Sequence, residues 1–190
     1  MTVGPVLAGA RVYLRPVTAD DVGAEYVRWL NDPEINRFLE SRHTSSSERS
    51  VRAFVAKMTA SESDYLFAIC LVEDDRHIGN IHLGPIRAEH RLAEFSLYIG
   101  ERAAWGKGYG GETVALVTRF AFEEIGLNKT MGRMYAANKA SIRAFFRAGY
   151  REEGRLRDHY LLDGTPMDVV IMGCTAGDYL TRAQALHTTR

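Results

Sequence analysis

Three apolar, strand-length runs follow one another in the middle of the chain, at 65–72 (YLFAICLV), 77–86 (HIGNIHLGPI) and 91–99 (RLAEFSLYI), and only short, turn-rich links join them. A parallel pair needs a crossover of about a dozen residues or more, so links this short force an antiparallel meander. Residues 11–17 alternate as a further strand. Thr18 with Asp20 and Asp21 opens a helix carrying Val22, Tyr26, Trp29 and Leu30 on one face, and Asp32-Pro33 closes it. A short helix is expected across 33–39 and a serine-rich loop across 41–47. Residues 47–59 place Val51, Phe54, Val55 and Met58 at helical spacing, hence inward.

After the meander the period returns to that of a helix over 109–125, with Val114, Val117, Phe120 and Ala121 inward and Gly126 just past its end. A strand is expected at 129–136, then a helix over 139–148 capped by Asn138 and closed by Gly149. Two last strands, 150–160 and 167–174, flank Asp163-Gly164, a strong hairpin turn. The order reads as one mixed α/β (α+β) domain over 10–175, with a lead-in at 1–9 and a helical or frayed tail at 176–190.

Lys plus Arg and Asp plus Glu each number 24, so the net charge is zero. Nucleic-acid and membrane-surface binders are usually markedly basic, and neither partner is expected. No apolar run approaches the ~18 residues of a membrane span, and the N-terminus lacks a basic start before its apolar stretch. Two cysteines, Cys70 and Cys174, sit in apolar runs and read as buried reduced thiols. A cytoplasmic location is expected.

The chemistry concentrates at Trp105-Gly106-Lys107-Gly108-Tyr109-Gly110-Gly111, between a strand and a helix. Glycines let the backbone turn tightly and bring its N–H groups close to a ligand. The helix start adds unpaired donors and a positive dipole end, which together suit phosphate or pyrophosphate. A P-loop fails twice: Glu101 stands where its first glycine belongs, and Gly108 where a hydroxyl should follow the lysine. Gly106, Gly108 and Gly111 match a dinucleotide fingerprint, but the strands before them form a meander and the next strand ends in Tyr135-Ala136-Ala137, without the acidic residue.

The same run resembles the acyl-coenzyme A pyrophosphate loop of the GNAT N-acetyltransferases. Ala93 to Gly100 (AEFSLYIG) is similar to the family's fourth strand, and Asn138-Lys139-Ala140-Ser141 with Phe145-Phe146-Arg147-Ala148-Gly149-Tyr150 to a later block. Leu14-Arg15-Pro16 and Trp29-Leu30-Asn31-Asp32-Pro33-Glu34 resemble its ribosomal-alanine-acetyltransferase (Rim-type) subgroup. The likeness spans roughly 11–174. It implies a mostly antiparallel mixed sheet flanked by helices, whose fourth and fifth strands splay at a bulge. Acetyl-CoA is the implied co-substrate. The backbone of Leu97, Tyr98 and Ile99 would hold the pantetheine arm, and the Leu97 N–H would polarise the thioester carbonyl. Trp105 to Gly111 would take the pyrophosphate, with Arg102 and Lys107 nearby. Asn138, Ser141 and Phe145 complete the implied cofactor set. Phe145 stands where many members carry an acidic tyrosine, and Ser141 is the candidate replacement donor to the sulfur.

A protonated amine must lose a proton before attack. Glu94, in an otherwise apolar strand, is the first candidate base; its alternative is an outward carboxylate paired with an arginine. Asn31, Asp32, Glu34 and His82 are candidate acceptor-binding residues, and Asp32 and Glu34 serve equally as helix punctuation. The block from Trp29 to Glu40, with His43-Thr44, resembles Rim-type enzymes that acetylate amino groups of nucleotide-linked sugars. Protein N-terminal amines, polyamines, aminoglycoside-like compounds and a non-catalytic acyl-CoA-binding module are the alternatives, and a homodimer is compatible with the resemblance. His77 and His82, five apart on one strand, should face opposite sides, and no metal-ligand spacing appears.

Overall fold

A computed structural model describes residues 4–188. Its strands are β1 (Leu7–Ala8), β2 (Val12–Pro16), β3 (Tyr65–Leu71), β4 (His77–Leu83), β5 (Leu92–Ile99), β6 (Lys129–Tyr135), β7 (Arg151–Leu162) and β8 (Thr165–Thr175). They form one sheet in the order β1-β2-β3-β4-β5-β6-β8-β7. The expected meander is present: β2 to β5 pair antiparallel in sequence order. Only β5 and β6 run parallel. The sheet extends into the expected lead-in, because Leu7 and Ala8 pair with Leu14 and Tyr13; residues 1–3 of that lead-in lie outside the described residues.

The helices are α1 (Ala24–Asn31), α2 (Glu48–Ala60), α3 (Tyr109–Arg119), α4 (Lys139–Ala148) and α5 (Ala176–Thr188). A π-helical turn, Phe120–Glu124, extends α3. Apolar residues of both sheet faces collect into two clusters. Phe95, Val114, Val117, Phe120, Phe145 and Tyr150 belong to the one under α3 and α4. Val22, Tyr26, Trp29, Val51 and Val55 belong to the one under α1 and α2. Each fully buried side chain of this kind contributes about 2 kcal/mol. The buried Tyr150 hydroxyl bonds those of Thr118 (2.9 Å) and Thr130 (2.6 Å), tying α3 to β6.

Two expectations fail for local reasons. No helix forms across 33–39. The Asp32 carboxylate accepts the N–H groups of Glu34 (2.9 Å) and Ile35 (3.3 Å), so the chain turns instead. Phe54, expected inward, is 43% exposed, while Val51, Val55 and Met58 are buried. Cys70 and Cys174 are buried free thiols, as expected. No helix among the described residues is long and apolar enough to cross a membrane.

Candidate functional site

β5 and β6 part company early. They pair only at Leu92–Lys129, Ala93–Thr130 and Glu94–Met131. Beyond Glu94, β5 pairs only with β4, and beyond Met131, β6 pairs only with β8. The expected splay is therefore present, but no register shift interrupts β5, so divergence of two regular strands opens it rather than a bulge. The N–H of Gly84 donates to the Glu94 carbonyl and that of Gly100 to the Ile78 carbonyl. Those bonds turn even-numbered β5 residues toward β4, so the N–H and C=O of Leu97 face the gap. Tyr98, expected to offer its backbone there, turns it to Asn80 instead. Its hydroxyl accepts from Asn80 Nδ2 (2.8 Å). Ile99 offers its carbonyl to Trp105 Nε1 (2.8 Å), which ties the glycine loop to the end of β5.

The base of the gap is filled. The Phe145 ring stacks on Phe95 with centroids 5.2 Å apart and is 1% exposed. It fits because residue 132 is glycine: a Cβ there would stand 2.5 Å from Phe145 Cε1. Phe145 is thus a core residue beneath the gap, not an exposed surface for a ligand.

Above the gap lies the start of α3. Gly108 caps the helix at φ +85°, a left-handed conformation that glycine adopts without strain. The Glu112 N–H makes the first helical bond, to the Gly108 carbonyl. Helix geometry leaves the N–H groups of Tyr109, Gly110 and Gly111 without helical acceptors. Gly110 brings this turn against β5, since a Cβ there would stand 3.7 Å from Leu97 Cδ1. Arg11, missed in the sequence, locks the loop. Its Nη1 donates to the Lys107 carbonyl (2.9 Å), and its guanidinium lies over the Tyr109 ring at 5.4 Å. Glu112 accepts the backbone N–H groups of Arg11 (2.8 Å) and Val12 (3.3 Å). Burial pushes the Glu112 pKa up, but these donors prevail and hold it below the ordinary range. Asn138 caps α4 as expected, accepting the Ser141 N–H at 3.1 Å.

On the opposite face a cavity of about 530 Å³ opens between β3–β5 and the segments carrying α1, residues 39–46 and α2. Leu97 belongs to its lining as well as to the gap, so the two spaces meet there. Ser41, Thr44, Ser45, Ser46, Ser50 and Ser96 line it with Asn80, His82 and the apolar Leu30, Val51, Phe54 and Leu66, and Glu40 is the one carboxylate among the described lining residues. Tyr135 donates to Glu40 at 2.6 Å, and Arg42 donates to the Tyr135 hydroxyl at 2.7 Å. Burial pushes Tyr26 up to about 12 and Tyr98 well above its ordinary value, so both stay neutral.

Of the expected acceptor residues, only His82 lines this cavity. Asn31 pins the neighbouring loop, bonding the Ser46 carbonyl (2.8 Å) and N–H (2.9 Å). Asp32 and Glu34 grip Arg102 at 2.7 and 2.6 Å. That guanidinium holds the Asp32 carboxyl below its usual range and is itself drawn away from a phosphate role. Glu94 pairs with Arg133 (3.0 Å) and does not line the cavity. His77 faces the same side as His82, packing on Trp29 at 5.1 Å between ring centroids. The irregularity where Ile69 and Cys70 pair across to β4 breaks the alternation that predicted opposite faces. Among the described residues no group of three or more His, Cys, Asp or Glu is placed to hold a metal.

The family model for the acetyltransferase (GNAT) domain matches residues 11–151. An N-acetyltransferase of Bacillus subtilis, YoaA, is 26% identical over 166 residues, covering 86% of this chain and 93% of its own. The spermidine N(1)-acetyltransferase of Vibrio cholerae is 28% identical over 116 residues, covering 60% of this chain and 66% of its own. A crystal structure of spermidine N-acetyltransferase from Vibrio cholerae, in complex with CoA and spermine, superposes with a TM-score of 0.81 at 21% identity, over 90% of this chain and 99% of that one. An acetyltransferase (GNAT family) structure from Bacillus anthracis gives 0.78 at 18% identity, over 91% and 99%. This chain therefore belongs to the GNAT family of N-acetyltransferases, whose acyl donor is acetyl-CoA.

Proposed function

We propose that the chain moves an acetyl group directly from acetyl-CoA to the primary amine of a small, hydroxyl-bearing acceptor, an amino sugar carried on a nucleotide being the leading candidate. One observation carries the reading: the N–H of Leu97 points into a gap that joins a hydroxyl-lined cavity on one side and free helix amides on the other. The pyrophosphate sits on the amides of 106–111, where a partial positive charge awaits it. The pantetheine arm runs down the gap, and the Leu97 N–H donates to the thioester oxygen as negative charge develops there. The amine attacks from the cavity, the C–N bond forms, the C–S bond breaks, and Ser141 donates to the leaving sulfur.

The acceptor class rests on the cavity's chemistry. Eight hydroxyl-bearing residues, Tyr26 and Tyr98 among them, against one carboxylate suit a polyol bearing one amine better than a polycation. The Rim-type resemblance of the Trp29–Glu40 block points the same way. Cytoplasmic placement rests on the two unpaired, buried cysteines. The test is release of free thiol from acetyl-CoA over an amine panel of amino-sugar nucleotides, spermidine, and peptides beginning in alanine or serine. Turnover fastest on the amino sugars is expected. Turnover fastest on spermidine would redirect the acceptor to polyamines, and tight CoA binding with no thiol release would leave a binding module.

A further inference from the structure

The transferase reading leaves the amine's proton without an acceptor, since Glu94 is engaged by Arg133 away from the cavity. His82 and Asp64 form a second arrangement that can take it. His82 Nε2 lies 2.7 Å from Asp64 Oδ1. The other oxygen, Asp64 Oδ2, accepts from the hydroxyls of Ser61 (2.7 Å) and Ser63 (3.0 Å). Burial pushes the Asp64 pKa up, but the donors from Ser61, His82 and Ser63 outweigh it and keep the group ionised below its usual range. An ionised carboxylate only accepts, so the nitrogen facing it carries the ring proton. Nδ1 is then the acceptor, and no bond from Nδ1 to a described residue occupies it. His82 pairs across the sheet with Ser96, and the next residue, Leu97, supplies the amide of the acyl site. His82 and Leu97 both line the cavity through which the amine would approach.

We propose that His82 is the catalytic base of this transferase and that Asp64 is the positioning residue that fixes its tautomer and supports its charge. The inference rests on the transferase reading above. The ammonium gives one proton to His82 Nδ1 and becomes the attacking free amine. After the C–N bond forms, the nitrogen's second proton reaches the departing sulfur by way of the Ser141 hydroxyl, and His82 returns its own to water. Amide, thiol and one released proton balance the step. The other titratable groups of the cavity do not compete: Tyr26 and Tyr98 stay neutral, and Glu40 is engaged by Tyr135.

The experiment is kcat and KM by thiol release, with the best amine of the panel, for wild type, His82→Gln, Asp64→Asn and Asp64→Glu. His82→Gln should lower kcat by about a hundredfold or more, with the acetyl-CoA KM within about twofold of wild type. Asp64→Asn should lower kcat by about tenfold with the same KM, and Asp64→Glu, which keeps the carboxylate, should recover part of that loss. Wild-type kcat in His82→Gln, or wild-type kcat in Asp64→Asn, overturns the assignment. If His82→Gln does not fold, the two Asp64 variants decide alone. Wild type that binds CoA yet releases no thiol with any amine overturns the transferase reading itself, a different result from an active enzyme indifferent to His82.

Discussion

Glu112 on α3 holds Arg11 at the start of β2 twice over, its Oε1 on the backbone N–H at 2.8 Å and its Oε2 on the guanidinium Nε at 2.9 Å. The bonded Arg11 spends a further donor, Nη1, on the Lys107 carbonyl, so one side chain joins the entry to β2, the helix and the glycine loop. The loop's shape thus depends on a residue outside it. Half of the Arg11 side chain is exposed, which limits its energetic share. Arg11→Ala should raise the KM for acetyl-CoA about three- to tenfold with kcat nearly unchanged. Arg11→Lys should not restore it, since an ammonium cannot serve Glu112 and Lys107 together. An unchanged KM in both variants would remove Arg11 from the account.

Gly110 should be needed for space rather than for backbone freedom. Alanine there meets only ordinary contact with Leu97 and Ala144, and valine adds two methyls beyond that contact. Gly110→Val should lose most of the calorimetric heat with acetyl-CoA, while its thermal midpoint falls by no more than a few degrees, as for a β-branched residue in a helix. Full affinity in Gly110→Val would show that the coenzyme does not pass this point.

Gly132 and Phe145 should couple. Gly132→Ala places a Cβ against the Phe145 ring and against the Phe95 carbonyl at 3.2 Å, and overpacking of this kind costs about 1–3 kcal/mol. Phe145→Leu leaves a void with a cost of its own. The double variant should be less destabilised than the sum of the two in urea unfolding. Strict additivity would mean that the ring moves aside freely.

Acid should weaken the fold partly through Asp21. Burial pushes its carboxyl pKa up, but Arg15 at 2.6 Å and the Thr18 N–H more than offset that and hold it below the ordinary value. A depressed folded-state pKa gives stability that is present above the unfolded value of about 4 and is lost as pH falls below it. The urea midpoint of wild type should therefore drop more steeply between about pH 5 and 3 than that of Asp21→Asn. Parallel curves would contradict the pairing.

Local features were readable in the sequence. Short links dictated the meander, Asn138 and Gly149 marked the ends of α4, and the glycines announced a tight turn before α3. What the sequence hid lies in partnerships across distance. Arg11 and Glu112 are 101 residues apart, Asp32 and Arg102 are 70 apart, and Asp64 and His82 are 18 apart, and no periodicity connects them. Two readings failed on strand geometry. The resemblance gave the backbone of Tyr98 to the gap, but which edge that backbone serves depends on the register with β4. Alternation also put His77 and His82 on opposite faces, and an irregularity in the β3–β4 ladder brings them to the same one. Phe145 matched a ligand-binding position by motif, yet the missing side chain at Gly132 draws its ring into the core.

The most direct measurement is a crystal structure with acetyl-CoA bound. The account predicts pyrophosphate oxygens within hydrogen-bond distance of amides between Gly106 and Gly111, and the thioester oxygen on the Leu97 N–H. A coenzyme bound with its acetyl group away from Leu97, or with its phosphates off the start of α3, would contradict it.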